Sequence, residues 1–203
     1  MKGKVSFIAA SKFESVPFLS STIRMIGGSF APRFGTQEAR DAVVEAMAAH
    51  QNQVENGEFD KTPIMVFPEG TTQNNTHLCQ FKRGAFTTRT TITPVFIHFD
   101  CRQITPFNEV MFDIDAIFFT ACNLLPTTVT AHVLPPFKPT NYLFETHKDK
   151  GSEEWMVQSW AIRAAISKYT GVPTLDQSQK EHFQYYNYLV GKADSYLLPP
   201  SQP

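Results

Sequence analysis

The sequence has few cysteines, almost no net charge and no long apolar run. Its three cysteines, Cys79, Cys101 and Cys122, form no C-x-x-C pair. We therefore predict reduced thiols in a cytosol-facing compartment, and neither a disulfide framework nor a structural zinc site. The formal net charge of −1 gives no electrostatic reason to propose nucleic-acid binding, for which a strongly basic face is typical. Because about 18 consecutive apolar residues are needed to span a bilayer, no transmembrane segment is predicted within these 203 residues.

Apolar side chains are plentiful and occur in two kinds of segment. Hydrophobic residues make up 42% of the chain and 18 residues are phenylalanine, which is ample material for a packed core. Short apolar runs predict strands, whereas apolar residues at helical spacing predict helices. The predicted strands are 5–10, 64–67, 92–99 and 127–134, and the predicted helices are 16–26, 36–54, 110–125 and 153–170.

The order of these segments predicts the fold class. The run 64–67 is apolar on both faces, as expected for a central parallel strand that helices cover on both sides. Strands separated by helices predict an α/β fold with a mostly parallel sheet flanked by helices. Thr36 is predicted to cap the helix that follows it, and Asn56-Gly57 to end that helix. We assign residues 1–175 to one domain and residues 176–203 to a C-terminal helix and a loose tail.

An acidic turn followed by basic residues is the most informative part of the sequence. It reads Val66-Phe67-Pro68-Glu69-Gly70-Thr71-Thr72, and then Phe81-Lys82-Arg83-Gly84-Ala85-Phe86. The carboxyl end of a parallel strand is where ligands bind in α/β sheets. There Glu69 would accept hydrogen bonds from hydroxyl groups, and cations such as Lys82 would pair with phosphate oxygens. Taken alone, the composition of the segment favours an ordinary solvated loop with chance charges, because such mixed loops are common on protein surfaces.

Three blocks of the sequence resemble one enzyme family. The F-P-E-G-T block followed by F-K-x-G-A-F resembles the third signature of the glycerolipid (lysophospholipid) acyltransferases. The longer match is similar to the eukaryotic lysophosphatidylcholine/lysophosphatidylethanolamine acyltransferase branch. Residues 28–33 (G-S-F-A-P-R) resemble the second signature, and residues 129–136 (V-T-A-H-V-L-P-P) resemble the fourth. The resemblance extends over roughly residues 5–175, with the blocks in the family's order.

The resemblance implies a reaction and a set of binding residues. An acyl group would pass from acyl-CoA, a co-substrate, to a hydroxyl of a lysophospholipid during phospholipid biosynthesis or remodelling. No metal or further cofactor is implied. The chain would act at a membrane surface, facing the cytosol and expected at the endoplasmic reticulum. Arg33 and Glu69 would converge on the glycerol-phosphate part of the acceptor, and Pro135 would lie on the acyl-donor side. The other residues assigned to the acceptor are Phe67, Pro68, Gly70, Thr71, Thr72 and Lys82.

The sequence departs from this family at the catalytic motif. An alcohol needs a general base to become a nucleophile, and the family supplies it as His-x-x-x-x-Asp. None of the six histidines is followed by Asp at the fifth position, so no catalytic residue is assigned. His50 and Glu55 are the nearest imitation, but this spacing separates two side chains around a helix. We expect an N-terminally truncated acyltransferase domain that begins after its catalytic motif and membrane anchor. The alternative is an inactive relative that binds lipid without turnover.

Overall fold

The structure is a computed structural model that describes residues 6–25, 28–31, 36–58, 62–70, 76–100, 118, 121–122 and 126–193. It mixes helices and strands, as the sequence predicts. The chain divides into two compact units. The first comprises Met1–Pro68, Lys82–Ile92 and Pro136–Ala161, and the second comprises Glu69–Phe81, Thr93–Pro135 and Ile162–Pro203. The helix predicted over 110–125 and the tail 194–203 lie outside the described residues. The domain division at residue 175 stays a prediction.

The first unit contains a small parallel sheet. Its strands are β1 (Ser6–Ala10), β2 (Ser29–Ala31) and β3 (Ile64–Met65), in the order β2-β1-β3. Ile8 pairs with Ser29 and Ser6 pairs with Ile64, both in parallel register. Helix α1 (Pro17–Met25) follows β1, and helix α2 (Gln37–Glu55) follows β2. This succession fits the need of parallel strands for a long crossover connection. Parallel pairing is confirmed for this sheet.

Strand β3 is shorter and more exposed than the sequence predicts. Only Ile64–Met65 forms the strand, and the side chains of Met65 and Phe67 are 43% and 58% exposed. The prediction of a strand over 64–67 that is buried on both faces is therefore wrong. β3 stands at the end of the described strand order, where an edge strand is covered less than a central one. Pro68 has no backbone N–H with which to continue a ladder.

Helix α2 has the boundaries that its capping residues predict. The Thr36 hydroxyl accepts a hydrogen bond from the Ala39 amide at 3.3 Å, and the helix ends at Asn56. Gly57 then adopts a φ of 77°, a left-handed conformation that glycine reaches without strain. Helix α2 packs against the 3₁₀ turn Arg83–Phe86, in which Phe86 is only 4% exposed. The prediction of both ends of this helix is confirmed.

The second unit contains an antiparallel pair of strands. β4 (Val95–Asp100) and β5 (Thr128–Val133) pair from Val95 with Val133 to Asp100 with Thr128. A mostly parallel sheet is therefore not what the structure shows: parallel pairing is confined to short strands, and the longest described ladder is antiparallel. The composition of both segments predicts extended chain correctly. Whether β4 and β5 pair parallel or antiparallel depends on the path of the chain between them. The composition of the two segments does not reveal that path.

Three further helices complete the described structure. Helix α3 (Asn141–Thr146) lies in the first unit. Helix α4 (Glu154–Thr170) begins in the first unit, ends in the second and is followed by Gly171 at a φ of 76°. Helix α5 (Gln179–Leu189) starts with a capping box, in which the Ser178 and Glu181 side chains each bond to the backbone of the other residue. None of the helices described is both long enough and apolar enough to cross a membrane.

Candidate functional site

The predicted substrate-binding residues fall into three groups. Phe67, Pro68 and Lys82 belong to the first unit, and Glu69, Gly70 and Pro135 belong to the second. Arg33, Thr71 and Thr72 lie outside the described residues. The predicted convergence of Arg33 with Glu69 therefore stays a prediction.

In the first unit, the peptide before Glu69 is held to residue 82. The Lys82 amide donates a hydrogen bond to the Pro68 carbonyl, with an N···O distance of 2.7 Å. Lys82 is also the N-cap of the 3₁₀ turn Arg83–Phe86. The buried Phe86 side chain therefore anchors the segment that carries Lys82. The F-P-E-G block and the F-K-x-G-A-F block are thus joined by a backbone hydrogen bond. The sequence predicts both blocks, and the structure adds the bond between Pro68 and Lys82.

In the second unit, the Glu69 carboxylate is bound by a backbone amide. Its Oε1 accepts a hydrogen bond from the Cys79 N–H at 3.1 Å. Hydrogen bonds to an ionised group are stronger than those between neutral groups, and Cys79 is only 8% exposed. Gly70 follows with a φ of 72°, where a side chain would strain the backbone by roughly 1 kcal/mol. This turn therefore presents a carboxylate in a defined orientation.

A short parallel pairing holds the segment that contains Cys79. The Leu78 amide donates to the Pro173 carbonyl at 2.9 Å, the Leu175 amide to the Leu78 carbonyl at 2.9 Å, and the Gln80 amide to the Gln177 carbonyl at 3.0 Å. The sequence analysis missed this pairing. Both stretches are too short to show a period, and Pro173 argues against a strand. A backbone amide such as that of Cys79 has no sequence signature at all.

Pro135 lies two residues after the end of strand β5 and is exposed. The Leu134 amide before it donates to the Pro94 carbonyl at 2.9 Å, so the end of β5 is tied to the residue before β4. The predicted role of Pro135 on the acyl-donor side stays a prediction.

His50 and Glu55 each have a different partner, as expected if they are not a catalytic pair. The His50 Nε2 lies 2.8 Å from the Thr62 carbonyl oxygen. Glu55 accepts from Lys138 Nζ at 2.6 Å and from the Thr91 hydroxyl at 3.1 Å. Both residues thus tie helix α2 to other segments of the first unit.

We expect Lys138→Met to raise the pKa of Glu55 towards its ordinary value. The hydrogen bond from Lys138 is the largest cause that lowers the pKa of this carboxyl, followed by the bond from the Thr91 backbone. A lowered pKa in the folded state means that the interaction stabilises the fold above the unfolded pKa. That stabilisation is lost as the pH falls through the folded pKa. The pKa is measured by NMR titration of the Glu55 carboxyl carbon.

Lys148→Met is the control for this titration, because Lys148 is an exposed lysine of the same unit. An unchanged Glu55 pKa in Lys138→Met would contradict the assignment of Lys138 as the main partner.

No group of three or more His, Cys, Asp or Glu side chains in the described part of the chain is arranged to hold a metal ion. The structure does bring together the Glu69 carboxylate, the Cys79 amide that binds it and the turn at Gly70. Such a turn can orient a hydrogen-bond acceptor towards a hydroxyl-bearing ligand.

Comparison with known proteins shows which enzymes the chain is similar to. Residues 1–98 match the family model described as Acyltransferase, a range that includes the small parallel sheet, the Glu69 turn and most of β4. A lysophosphatidylcholine acyltransferase 1 from Danio rerio is 28% identical over 177 residues, which is 85% of this chain and 31% of the relative. These matches support the resemblance to glycerolipid and lysophospholipid acyltransferases that the sequence blocks predict.

Glycerol-3-phosphate acyltransferases are also similar over shorter segments. One from Xenopus laevis, glycerol-3-phosphate acyltransferase 3, is 41% identical over 69 residues, 33% of this chain and 14% of the relative. Glycerol-3-phosphate acyltransferase 4 from Homo sapiens is 50% identical over 40 residues, 20% of this chain and 9% of the relative. The chain thus spans less than a third of the length of these curated relatives. No solved structure matches it significantly.

Proposed function

We propose that this chain takes part in transferring an acyl group from acyl-CoA to the free hydroxyl of a lysophospholipid of the lysophosphatidylcholine type. The observation that carries the proposal is the extent of one match. The relative named lysophosphatidylcholine acyltransferase 1 aligns with 85% of this chain, whereas the glycerol-3-phosphate acyltransferase from Xenopus laevis aligns with 33%. The longer match favours a lysophospholipid as acceptor over glycerol 3-phosphate.

In this proposal, Glu69 accepts a hydrogen bond from a hydroxyl of the acceptor. A carboxylate offers about four lone-pair sites, so a bond from the Cys79 amide is compatible with one from the ligand. Lys82, which is exposed beside the 3₁₀ turn, supplies a cation for the acceptor's phosphate. Arg33, Thr71, Thr72 and Phe67 complete the acceptor site, and Pro135 the donor side. The reaction takes place at a cytosol-facing membrane surface.

In the proposed transfer step, the acceptor hydroxyl displaces CoA from the thioester. The acceptor oxygen attacks the thioester carbonyl, the C–S bond breaks, and the hydroxyl proton passes through a general base to the departing CoA thiolate. The thioester is already activated, so the reaction needs no metal. No residue of this chain is assigned as the base.

The absence of the His-x-x-x-x-Asp motif favours a second function, which is lipid binding without catalysis. None of the six histidines is followed by Asp at the fifth position, so the chain would bind a lysophospholipid without catalysing transfer. The two functions share the acceptor site and differ only in turnover.

The test is to incubate the chain with labelled acyl-CoA and either lysophosphatidylcholine or glycerol 3-phosphate. Binding of labelled lysophosphatidylcholine, below its micellar concentration, is measured in parallel by equilibrium dialysis. Label in phosphatidylcholine supports the proposal. Binding without transfer overturns the catalytic proposal in favour of the second function. Transfer to glycerol 3-phosphate alone overturns the acceptor class, and neither binding nor transfer overturns both functions.

A further inference from the structure

The segment 78–80 of the second unit has hydrogen bonds on both of its edges. On one edge, Leu78 and Gln80 bond to the backbone of residues 173–177 at 2.9–3.0 Å. Along an extended chain, successive amides point to opposite sides, so the Cys79 N–H lies on the other edge. There it donates to Glu69 Oε1 at 3.1 Å. The orientation of the Glu69 carboxylate therefore depends on where residues 173–177 hold this segment.

Residues 173–177 are in turn anchored to helix α4 by an ion pair. Arg163 Nη2 donates to Asp176 Oδ1 at 2.9 Å. Asp176 stands between Leu175 and Gln177, whose backbone groups make two of the bonds to segment 78–80. The ion pair therefore anchors the same segment, 173–177, that pairs with the segment containing Cys79.

The burial of the two partners is unequal. The Arg163 side chain is only 10% exposed, whereas that of Asp176 is 70% exposed. Among the residues that the structure describes, Arg163 Nε is buried without a hydrogen-bond partner, and Asp176 supplies an acceptor and counter-charge to the guanidinium. Arg163 is thus the buried partner of the pair, and its guanidinium offers residue 176 an anchor on helix α4.

We propose that Arg163 is a positioning residue for the acceptor site, which it orients through Asp176, the 173–177 segment, the Cys79 amide and finally the Glu69 carboxylate. The proposal rests on the function proposed above, in which Glu69 binds the acceptor. Every residue in this series belongs to the second unit and lies within its described part.

The test uses the proton chemical shift of the Cys79 amide in the whole chain at neutral pH. Glu69→Gln defines the shift that is observed when the carboxylate is neutralised. In Arg163→Gln and Asp176→Ala, we expect the Cys79 amide to move towards that reference position. Lysophosphatidylcholine affinity is expected to fall by about twofold to thirtyfold, the range of typical indirect couplings. Arg163→Lys keeps a cation opposite Asp176. Its Cys79 amide shift and its lysophosphatidylcholine affinity are therefore both expected to lie close to those of the original chain.

Lys168→Gln is the matched control, because Lys168 is an exposed basic residue on the same helix. Asp176→Ala removes an exposed side chain, so it keeps the test open if Arg163→Gln fails to fold. A Cys79 amide that is unchanged in the folded variants overturns the proposal. If the amide moves in the variants but the original chain binds no lysophosphatidylcholine, the positioning of Glu69 is supported and the proposed function is overturned.

Discussion

Replacing Glu69 with alanine is expected to weaken lysophosphatidylcholine binding by about tenfold to a hundredfold. The change removes a charged hydrogen-bond acceptor from the proposed acceptor site, and hydrogen bonds to charged groups are worth about 1.5–3 kcal/mol. A factor of ten in affinity corresponds to about 1.4 kcal/mol. The measurement is equilibrium dialysis of labelled lysophosphatidylcholine against the folded variant. Circular dichroism confirms that the variant has kept its helices and strands.

Two variants make this prediction specific. Glu69→Gln keeps one acceptor oxygen but loses the charge, so its affinity is expected to lie between those of the original chain and Glu69→Ala. Glu145→Gln removes an exposed carboxylate on helix α3 and is expected to bind as the original chain does. Equal affinity in Glu69→Ala and the original chain would remove Glu69 from the acceptor site.

Replacing Phe86 with alanine is expected to lower the free energy of unfolding by about 3–5 kcal/mol, the usual cost of emptying a buried phenylalanine site. Phe86 is 4% exposed and lies on the 3₁₀ turn that packs against helix α2. Adjacent helix residues close the space around that turn: a side chain at Gly84 would meet the Met47 methyl group at 3.5 Å. The measurement is urea unfolding followed by fluorescence.

The control for Phe86 is an exposed aromatic residue of the same unit. Tyr142 is 72% exposed, and Tyr142→Ala is expected to change the unfolding free energy by less than about 0.5 kcal/mol. A Phe86→Ala variant with the original midpoint and slope would show that this side chain contributes no core packing. In that case Phe86 would not anchor the segment that carries Lys82.

The motifs that act over a few residues could be predicted well. Thr36 and Gly57 mark the two ends of helix α2 in the structure, as their capping chemistry predicts. Gly70, which the sequence places in the turn after Glu69, adopts a left-handed φ there. The acyltransferase blocks predict the family resemblance that the comparisons support. In each case the determining interaction is local, so the sequence contains all of it.

The strands were harder to predict than the helices. The four residues 64–67 look like a buried strand, yet only two of them pair and Phe67 is largely exposed. The composition of β4 and β5 predicts extended chain, but their antiparallel pairing is a property of the chain path. Apolar composition determines which segments can be buried, and the neighbours that bury them come from distant parts of the chain.

The sequence alone predicts both ends of helix α2, the extended character of β1, β4 and β5, the glycine turn and the carboxylate at position 69. The tertiary structure alone decided what orients that carboxylate. It did so through three interactions: the Cys79 amide bond to Glu69, the pairing of 78–80 with 173–177, and the Arg163–Asp176 ion pair. The pairing joins segments far apart in the chain, and the other two link residues 10 and 13 positions apart. Two of these three interactions involve backbone groups, which every residue type except proline carries in the same form. A sequence pattern therefore cannot reveal them, because their specificity lies in position rather than in the type of side chain.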